Sequence, residues 1–164
     1  MFGQGVSSTI VQTAGVYQAI ANGGLRVPPS VVESCTASDG TVTEPDHGEP
    51  VQAVSSQTAA SMMQVLETVV QKSWVSDYVS IPGYRIAGKT GTAEIKGNGR
   101  KDKVTWFASF APYEAPRYVV IVMVESGASG GGTCAPVARE IYAFLRDRER
   151  SPVAGGVAFN PGHP

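Results

Sequence analysis

Cysteine and histidine each occur only twice in the 164-residue chain. Cys35 and Cys134 stand too far apart in sequence to make a metal-binding knuckle, and two thiols allow at most one disulfide, so a disulfide framework is excluded. Sequence distance says nothing for their pairing. His47 falls in an irregular stretch and His163 near the end of the chain, where solvated rings are expected rather than ligands or bases. Charge is scarce and balanced: 13 basic against 14 acidic groups leave a formal charge of -1. Without a basic excess there are few counterions to release from a phosphate backbone, so no nucleic-acid partner is expected. Long apolar runs are missing too. The run Val119-Val120-Ile121-Val122-Met123-Val124 is far too short to cross a bilayer as a helix and reads as a buried strand covered on both faces. Met1-Phe2-Gly3-Gln4-Gly5 lacks the basic start, apolar middle and small-residue cleavage site of a secretory signal. That leaves open both a cytosolic domain and a piece of a longer exported protein.

What is present suits one globular unit. Hydrophobic residues make up 42% of the chain, and 19 glycines and 11 prolines punctuate it, so many turns must separate short regular elements. A first helix begins after Thr9, with Gln12 completing a capping box, and Ile10, Ala14, Tyr17 and Ala21 form its apolar stripe. Asn22-Gly23-Gly24 ends it, Leu25-Arg26-Val27 is extended, and Val31-Val32 can start another strand. From 34 to 49 no period holds, apart from a possible hairpin at Asp39-Gly40. Ser55 or Ser56 caps a second helix whose apolar face is Ala59, Met62, Met63, Leu66, Val69 and Val70, with the methionines filling core gaps. Trp74 and Tyr78 follow as structural anchors, a ligand contact being the lesser expectation. After the Ile81-Pro82-Gly83 turn, three strands at 84–95, 104–110 and 118–125 are joined by connections at Asn98-Gly99 and 112–116 that suit antiparallel pairing. A flexible turn at 127–132 leads into a terminal helix containing Val137, Ala138, Ile141, Phe144 and Leu145, with Pro136 in its first turn. Residues 146–150 are solvated, and 151–164 form a loose tail.

The chemically informative segment is Gly88-Lys89-Thr90-Gly91-Thr92. On an open strand edge it would present an ammonium, hydroxyls and a backbone donor to one substrate. It is not a phosphate loop, because the required earlier glycine and the strand-to-helix context are missing. Lys89-Thr90-Gly91 matches the third motif of the penicillin-recognising serine enzymes. The longer segment Gly83-Tyr84-Arg85-Ile86-Ala87 through Thr92-Ala93-Glu94 resembles that of a class B penicillin-binding protein, the monofunctional peptidoglycan transpeptidase family. Gly3-Gln4-Gly5 with Thr9, the exit at Asn22-Gly23-Gly24, Ala108-Ser109-Phe110, the strand to Val124, and Gly131-Gly132 before Ala135-Pro136 carry the likeness nearly to Leu145. Ile10 stands where that family often has proline.

The resemblance implies a mixed α/β fold of the penicillin-binding transpeptidase and serine β-lactamase kind, an antiparallel sheet flanked by helices, here incomplete. The chain holds neither Ser-x-x-Lys nor Ser-x-Asn, so 1–147 is expected to be the carboxy-terminal part of the domain, and 148–164 a flexible tail. Lys89 would put positive potential near the carboxylate of a peptide or β-lactam, with Thr90 and Thr92 helping to place it and Gly91 keeping the strand open. The Thr92 backbone N–H would supply half of an oxyanion hole, the catalytic contribution of this chain. No metal or diffusible cofactor is needed for acyl transfer through serine. Implied partners are peptidoglycan stem peptides, β-lactams, the upstream half of the domain, and divisome or elongation proteins. The implied location is the cell membrane, with the catalytic domain outside the cytoplasm. A D-alanyl-D-alanine carboxypeptidase, a β-lactamase and a non-enzymatic β-lactam sensor remain alternatives, because the lysine motif is shared.

Overall fold

The computed structural model describes residues 7–97 and 100–150. Helix α1 (Ile10–Ala21) starts as its sequence dictates: the Gln12 N–H donates to Thr9 Oγ1 at 3.1 Å, and the Thr9 N–H donates to Gln12 Oε1 at 2.8 Å. Its stripe departs from expectation. Ile10 is 40% exposed, Ala14, Tyr17 and Ala21 are half-buried, and Ala19 is the buried residue, because one flank of α1 borders open grooves instead of core.

Four short strands follow. β1 (Leu25–Arg26) pairs with β4 (Val51–Gln52), and β2 (Cys35–Thr36) pairs with β3 (Val42–Thr43), both antiparallel. The hairpin expected at Asp39-Gly40 is the second of these. Gly40 takes a positive φ of 86°, and Asp39 Oδ1 accepts from the Thr41 N–H at 2.9 Å. Val31 and Val32 form no strand and lie exposed.

Helix α2 (Ser56–Lys72) is capped by Ser55, which accepts from the Thr58 N–H at 3.1 Å. It buries Ala59, Leu66 and Val70 while Met62 stays 41% exposed. The short α3 (Ser76–Val79) adds buried Val75 and Val79, which have no helical period to announce them. The expected strand start at Tyr84 moves to Ala87, since Ile81 and Tyr84 are spent on an isolated bridge across Pro82-Gly83.

Strands β5 (Ala87–Gly97), β6 (Arg100–Ala111) and β7 (Tyr118–Glu125) make the main sheet in the order β5-β6-β7, antiparallel throughout. Gly97 pairs with Arg100, and the Asn98-Gly99 turn lies outside the described residues. Alternation sorts β6 into two faces. Thr105, Phe107, Ser109 and Ala111 look toward helix α4 (Ala135–Arg150), whereas Phe110 packs with Ala87 and Leu66 on the α2 side. Buried hydroxyls fasten the first face: Ser109 Oγ donates to the Val120 carbonyl at 3.0 Å and lies 3.0 Å from the Tyr142 hydroxyl, and Thr105 Oγ1 donates to the Val124 carbonyl at 3.1 Å. The run Val119–Val124 is less covered than its composition suggests. Only Val120 is buried, the others half-buried, because β7 is an outer strand of the sheet among the described residues.

The stretch expected to be a flexible turn is an ordered wide helical turn, Gly130–Cys134. Ser129 Oγ accepts from the Gly132 N–H at 3.0 Å, and the Ala135 N–H reaches the Gly130 carbonyl. This turn runs straight into α4, where Pro136 has no N–H to offer the next carbonyl. The helix continues to Arg150, three residues beyond the expected boundary at 147. Arg146 there is half-buried and ion-paired to Asp147, and Glu149 meets Arg117 at 2.9 Å. The tail at 151–164, with His163, lies outside the described residues. Cys35 is exposed, Cys134 is buried, and both are free thiols.

Burial of phenols gives the fold an alkaline limit. Desolvation pushes Tyr17 and Tyr84 up to about 12 and raises Tyr142 as well. The native chain therefore keeps protons that the unfolded chain releases near its ordinary value of about 10. Their stabilising contribution is intact below about pH 10 and is lost as pH rises toward the folded values, at up to about 1.4 kcal/mol per pH unit for the deeply buried Tyr142 and less for the better solvated Tyr17 and Tyr84. Ultraviolet titration should show these three of the six tyrosines ionising only together with loss of structure. Six tyrosinates forming near pH 10 in a chain that stays folded would refute this.

Candidate active site

The segment Gly88-Lys89-Thr90-Gly91-Thr92 lies on β5, which in the described residues carries a partner strand on one side only. Register assigns its faces. Lys89 sits opposite Ala108 and Gly91 opposite Trp106, on the face packed by α2; Thr90 sits opposite Phe107 and Thr92 opposite Thr105, on the face packed by α4. The Lys89 stem and the Thr90 and Thr92 side chains thus leave the strand on opposite faces, and the lysine curls over the edge so that its ammonium reaches Thr90. Only a ligand lying along its open edge meets both.

Lys89 is exposed, and its Nζ donates to the Thr90 carbonyl at 2.8 Å, with Thr90 Oγ1 at 3.5 Å. Thr92 is exposed, while Thr90 and Gly91 are half-buried. The two glycines of the segment differ in what the fold asks of them. A Cβ at Gly88 would meet the Ala108 carbonyl and Ser109 Cβ at 2.7 Å, so packing forbids a side chain there. A Cβ at Gly91 would meet nothing nearer than Trp106 Cβ at 3.6 Å, an ordinary contact. The interior of the chain does not require glycine at 91.

Three surrounding features hold the strand, and sequence reasoning passed over them. Arg85, just before β5, bonds Glu67 on α2 and Glu114 at 2.9 Å each, lies 4.3 Å above the Tyr113 ring, and accepts from the Tyr113 N–H at 2.9 Å through its own carbonyl. Phe107 fills the layer behind Gly88 and Thr90. On the α4 face Gly130 abuts the backbone of Gly91, and Gly131 lies under Trp74. Trp74 remains 56% exposed and meets Tyr78 edge-on with ring centroids 5.7 Å apart, so the pair is anchored as expected yet keeps an open surface. The triple glycine at 130–132 was the available signal, with Ser129 before it as a cap.

Glu125 is exposed at the end of β7, and His47 is exposed in the irregular region. No group of three metal-ligating side chains occurs among the described residues, nor does any helix there have the length and apolarity to cross a membrane. Two apolar grooves flank α1 instead. One of about 470 Å³ is lined by Val11, Gly15, Ala19, Val54, Ala59 and Met62; another of about 640 Å³ is lined by Ile10, Ala14, Ala21, Pro28, Tyr118 and Val119. Neither touches residues 88–92, and neither gathers the polar groups that a reacting centre needs.

An antiparallel sheet flanked by helices matches the penicillin-binding transpeptidase and β-lactamase-like fold. The chain belongs to the penicillin binding protein transpeptidase domain family, which matches residues 1–143, and its relatives are of the class B kind. The penicillin-binding protein PbpB of Mycobacterium tuberculosis is 38% identical over 178 residues, covering 99% of this chain and 26% of that protein. The peptidoglycan D,D-transpeptidase PbpA of Mycolicibacterium smegmatis is 35% identical over 150 residues, covering 87% and 30%. Penicillin-binding protein 3 of Mycobacterium tuberculosis complexed with ampicillin superposes with a TM-score of 0.81 at 35% identity, covering 95% of this chain and 38% of that one. The chain therefore spans about a quarter of the length of the PbpB proteins it matches.

Proposed function

We propose that the chain is the carboxy-terminal part, 1–147, of a peptidoglycan D,D-transpeptidase domain, and that it supplies the edge strand against which a stem peptide or a β-lactam is acylated. The observation that carries this reading is the Lys-Thr-Gly-Thr segment on an open edge strand within a chain of this family. A serine from the upstream half attacks the donor peptide carbonyl, D-alanine leaves, and an acceptor amine takes the acyl group from the resulting ester. Lys89 draws the substrate carboxylate to the edge, and the Thr90 and Thr92 hydroxyls orient it. The Thr92 N–H donates to the developing oxyanion beside the N–H of the missing serine. Gly91, free of any packing demand for glycine, leaves room for the acyl group.

The absence of Ser-x-x-Lys and Ser-x-Asn supports placing the nucleophile, its base and the second motif upstream. So do the apolar grooves beside α1, whose lining suits cover by the other half of the domain. A membrane anchor, an extracytoplasmic catalytic domain, and partners in the divisome or elongation machinery are parts of this proposal for the whole protein. Fluorescent penicillin followed by denaturing electrophoresis tests it. The protein carrying both halves should form one stable adduct on an upstream serine, and these 164 residues alone should form none, because the covalent route has no nucleophile. An adduct on one of the chain's own serines, or no adduct in the whole protein, would overturn it.

A further inference from the structure

We propose that Gly130 is a positioning residue for the acyl-transfer site, one that sets the place of β5 at Gly91 through a backbone contact no side chain would permit. The inference rests on the transpeptidase reading above. An added Cβ at Gly130 would lie 2.7 Å from the Gly91 carbonyl oxygen and 3.1 Å from the Gly91 nitrogen, and would also overlap the Trp106 carbonyl oxygen. All three obstacles are backbone atoms of paired strands, so none can rotate away. Gly91 presents a bare backbone to this face because its own side-chain direction, shared with Trp106, is the opposite one. The wide turn therefore rests directly on the peptide groups that join Thr90 to Thr92.

The support behind the contact is built to hold it. Ser129 Oγ caps the turn through the Gly132 N–H at 3.0 Å, and the Thr133 N–H closes on the Ser129 carbonyl at 2.9 Å. Cys134, at the far end, is buried with its Sγ donating to the Thr105 carbonyl at 3.3 Å. Thr105 is the cross-strand partner of Thr92. Gly131 lies flat beneath Trp74, where a Cβ would overlap the ring. The turn is thereby clamped from one side by an aromatic ring and from the other by the middle strand, and Gly130 transmits that fixed position to Gly91.

An oxyanion donor works only when it lies about 2.7–3.1 Å from the oxygen it stabilises. A shift of β5 by a fraction of an ångström at Gly91 moves the Thr92 N–H relative to the serine of the other half. Carboxylate capture by the flexible Lys89 side chain tolerates that shift far better. Gly130→Ala should therefore lower the limiting rate of β-lactam acylation while leaving the half-saturating concentration nearly unchanged.

The test uses the protein carrying both halves, with a chromogenic β-lactam as probe and thermal unfolding measured alongside. Three variants are compared with the unaltered protein. Gly130→Ala should lose roughly ten- to a hundredfold in limiting rate, with half-saturation within about threefold. Gly24→Ala, whose methyl would overlap the Val54 carbonyl where the chain flanks the separate β1–β4 pair, should melt earlier and acylate normally, which separates lost stability from lost positioning. Ser129→Ala adds no volume and only loosens the turn; it should lose about three- to tenfold in the same limiting rate. It decides the matter if Gly130→Ala does not fold. Unaltered limiting rates in folded Gly130→Ala, or in Ser129→Ala, overturn the positioning role while leaving the transpeptidase reading intact. A parent protein that takes up no β-lactam at all removes both.

Discussion

Lys89→Ala, made in the protein that carries both halves of the domain, is expected to slow acylation by a stem-peptide substrate and by penicillin alike while the fold persists. The side chain is exposed, with its ammonium on the neighbouring Thr90 carbonyl, so its removal opens no cavity and breaks no ion pair among the described residues. On the proposed reading, what is lost is a charged hydrogen bond to the substrate carboxylate, worth about 1.5 to 3 kcal/mol once partly desolvated. At 1.4 kcal/mol per decade this is roughly a ten- to hundredfold loss if the contact persists into the transition state. Lys89→Arg should recover part of the rate, since it restores charge but not the compact ammonium. Thr92→Ala should be milder, because the backbone N–H survives loss of the hydroxyl. Second-order acylation constants beside unfolding curves check all three. A folded Lys89→Ala protein that reacts at the original rate would remove Lys89 from the site and leave the strand a structural element.

Phe107→Ala is expected to do the opposite: to cost stability first and activity as a consequence. The ring is fully buried in the middle strand, opposite Thr90 on one side and Val122 on the other, and its tip lies 3.1 Å from where a Gly88 Cβ would stand. Truncation removes buried apolar surface and leaves a void that hydrogen-bonded strands cannot close, at a cost of about 3–5 kcal/mol. Against a total of about 5–15 kcal/mol for a domain, that is a large share. Phe107→Leu should restore most of it. Denaturant unfolding of the complete domain provides the measure, and a loss below about 1 kcal/mol would show that the layer behind β5 repacks freely.

The long elements and the motif strand were legible because their signals are local. Thr9 and Gln12 name a capping box on sight, α2 announces itself by spacing, and the short connections force antiparallel pairing of β5, β6 and β7. What escaped depends on contacts distant in sequence. Val75 and Val79 are buried by α3 and its neighbours, not by any period of their own. The glycines at 130–132 read as looseness, although two of the three are buried and ordered by what lies against them, Gly91 below and Trp74 above. Ile10 and Val119–Val124 failed in the other direction, since apolar composition promises burial only where a covering layer exists. At the motif, residue identities were readable from the string, while the emergence of Lys89 and Thr90 from opposite faces required the register.

The unpartnered side of β5 also bears on how the lysine variants behave in a test tube. Ala87–Gly97 is an eleven-residue strand with backbone donors and acceptors along a side that no described strand occupies. Such an edge invites pairing with the same strand of another copy, and exposed charge is one of the devices that discourage it. Lys89 and Glu94 are exposed there, so the ammonium proposed to receive a carboxylate also helps to keep two copies apart. Neutral replacements weaken that guard. Acylation by Lys89→Ala is therefore best measured at several protein concentrations: a deficit that deepens as protein is concentrated reports self-association, and one that stays constant reports the missing carboxylate contact.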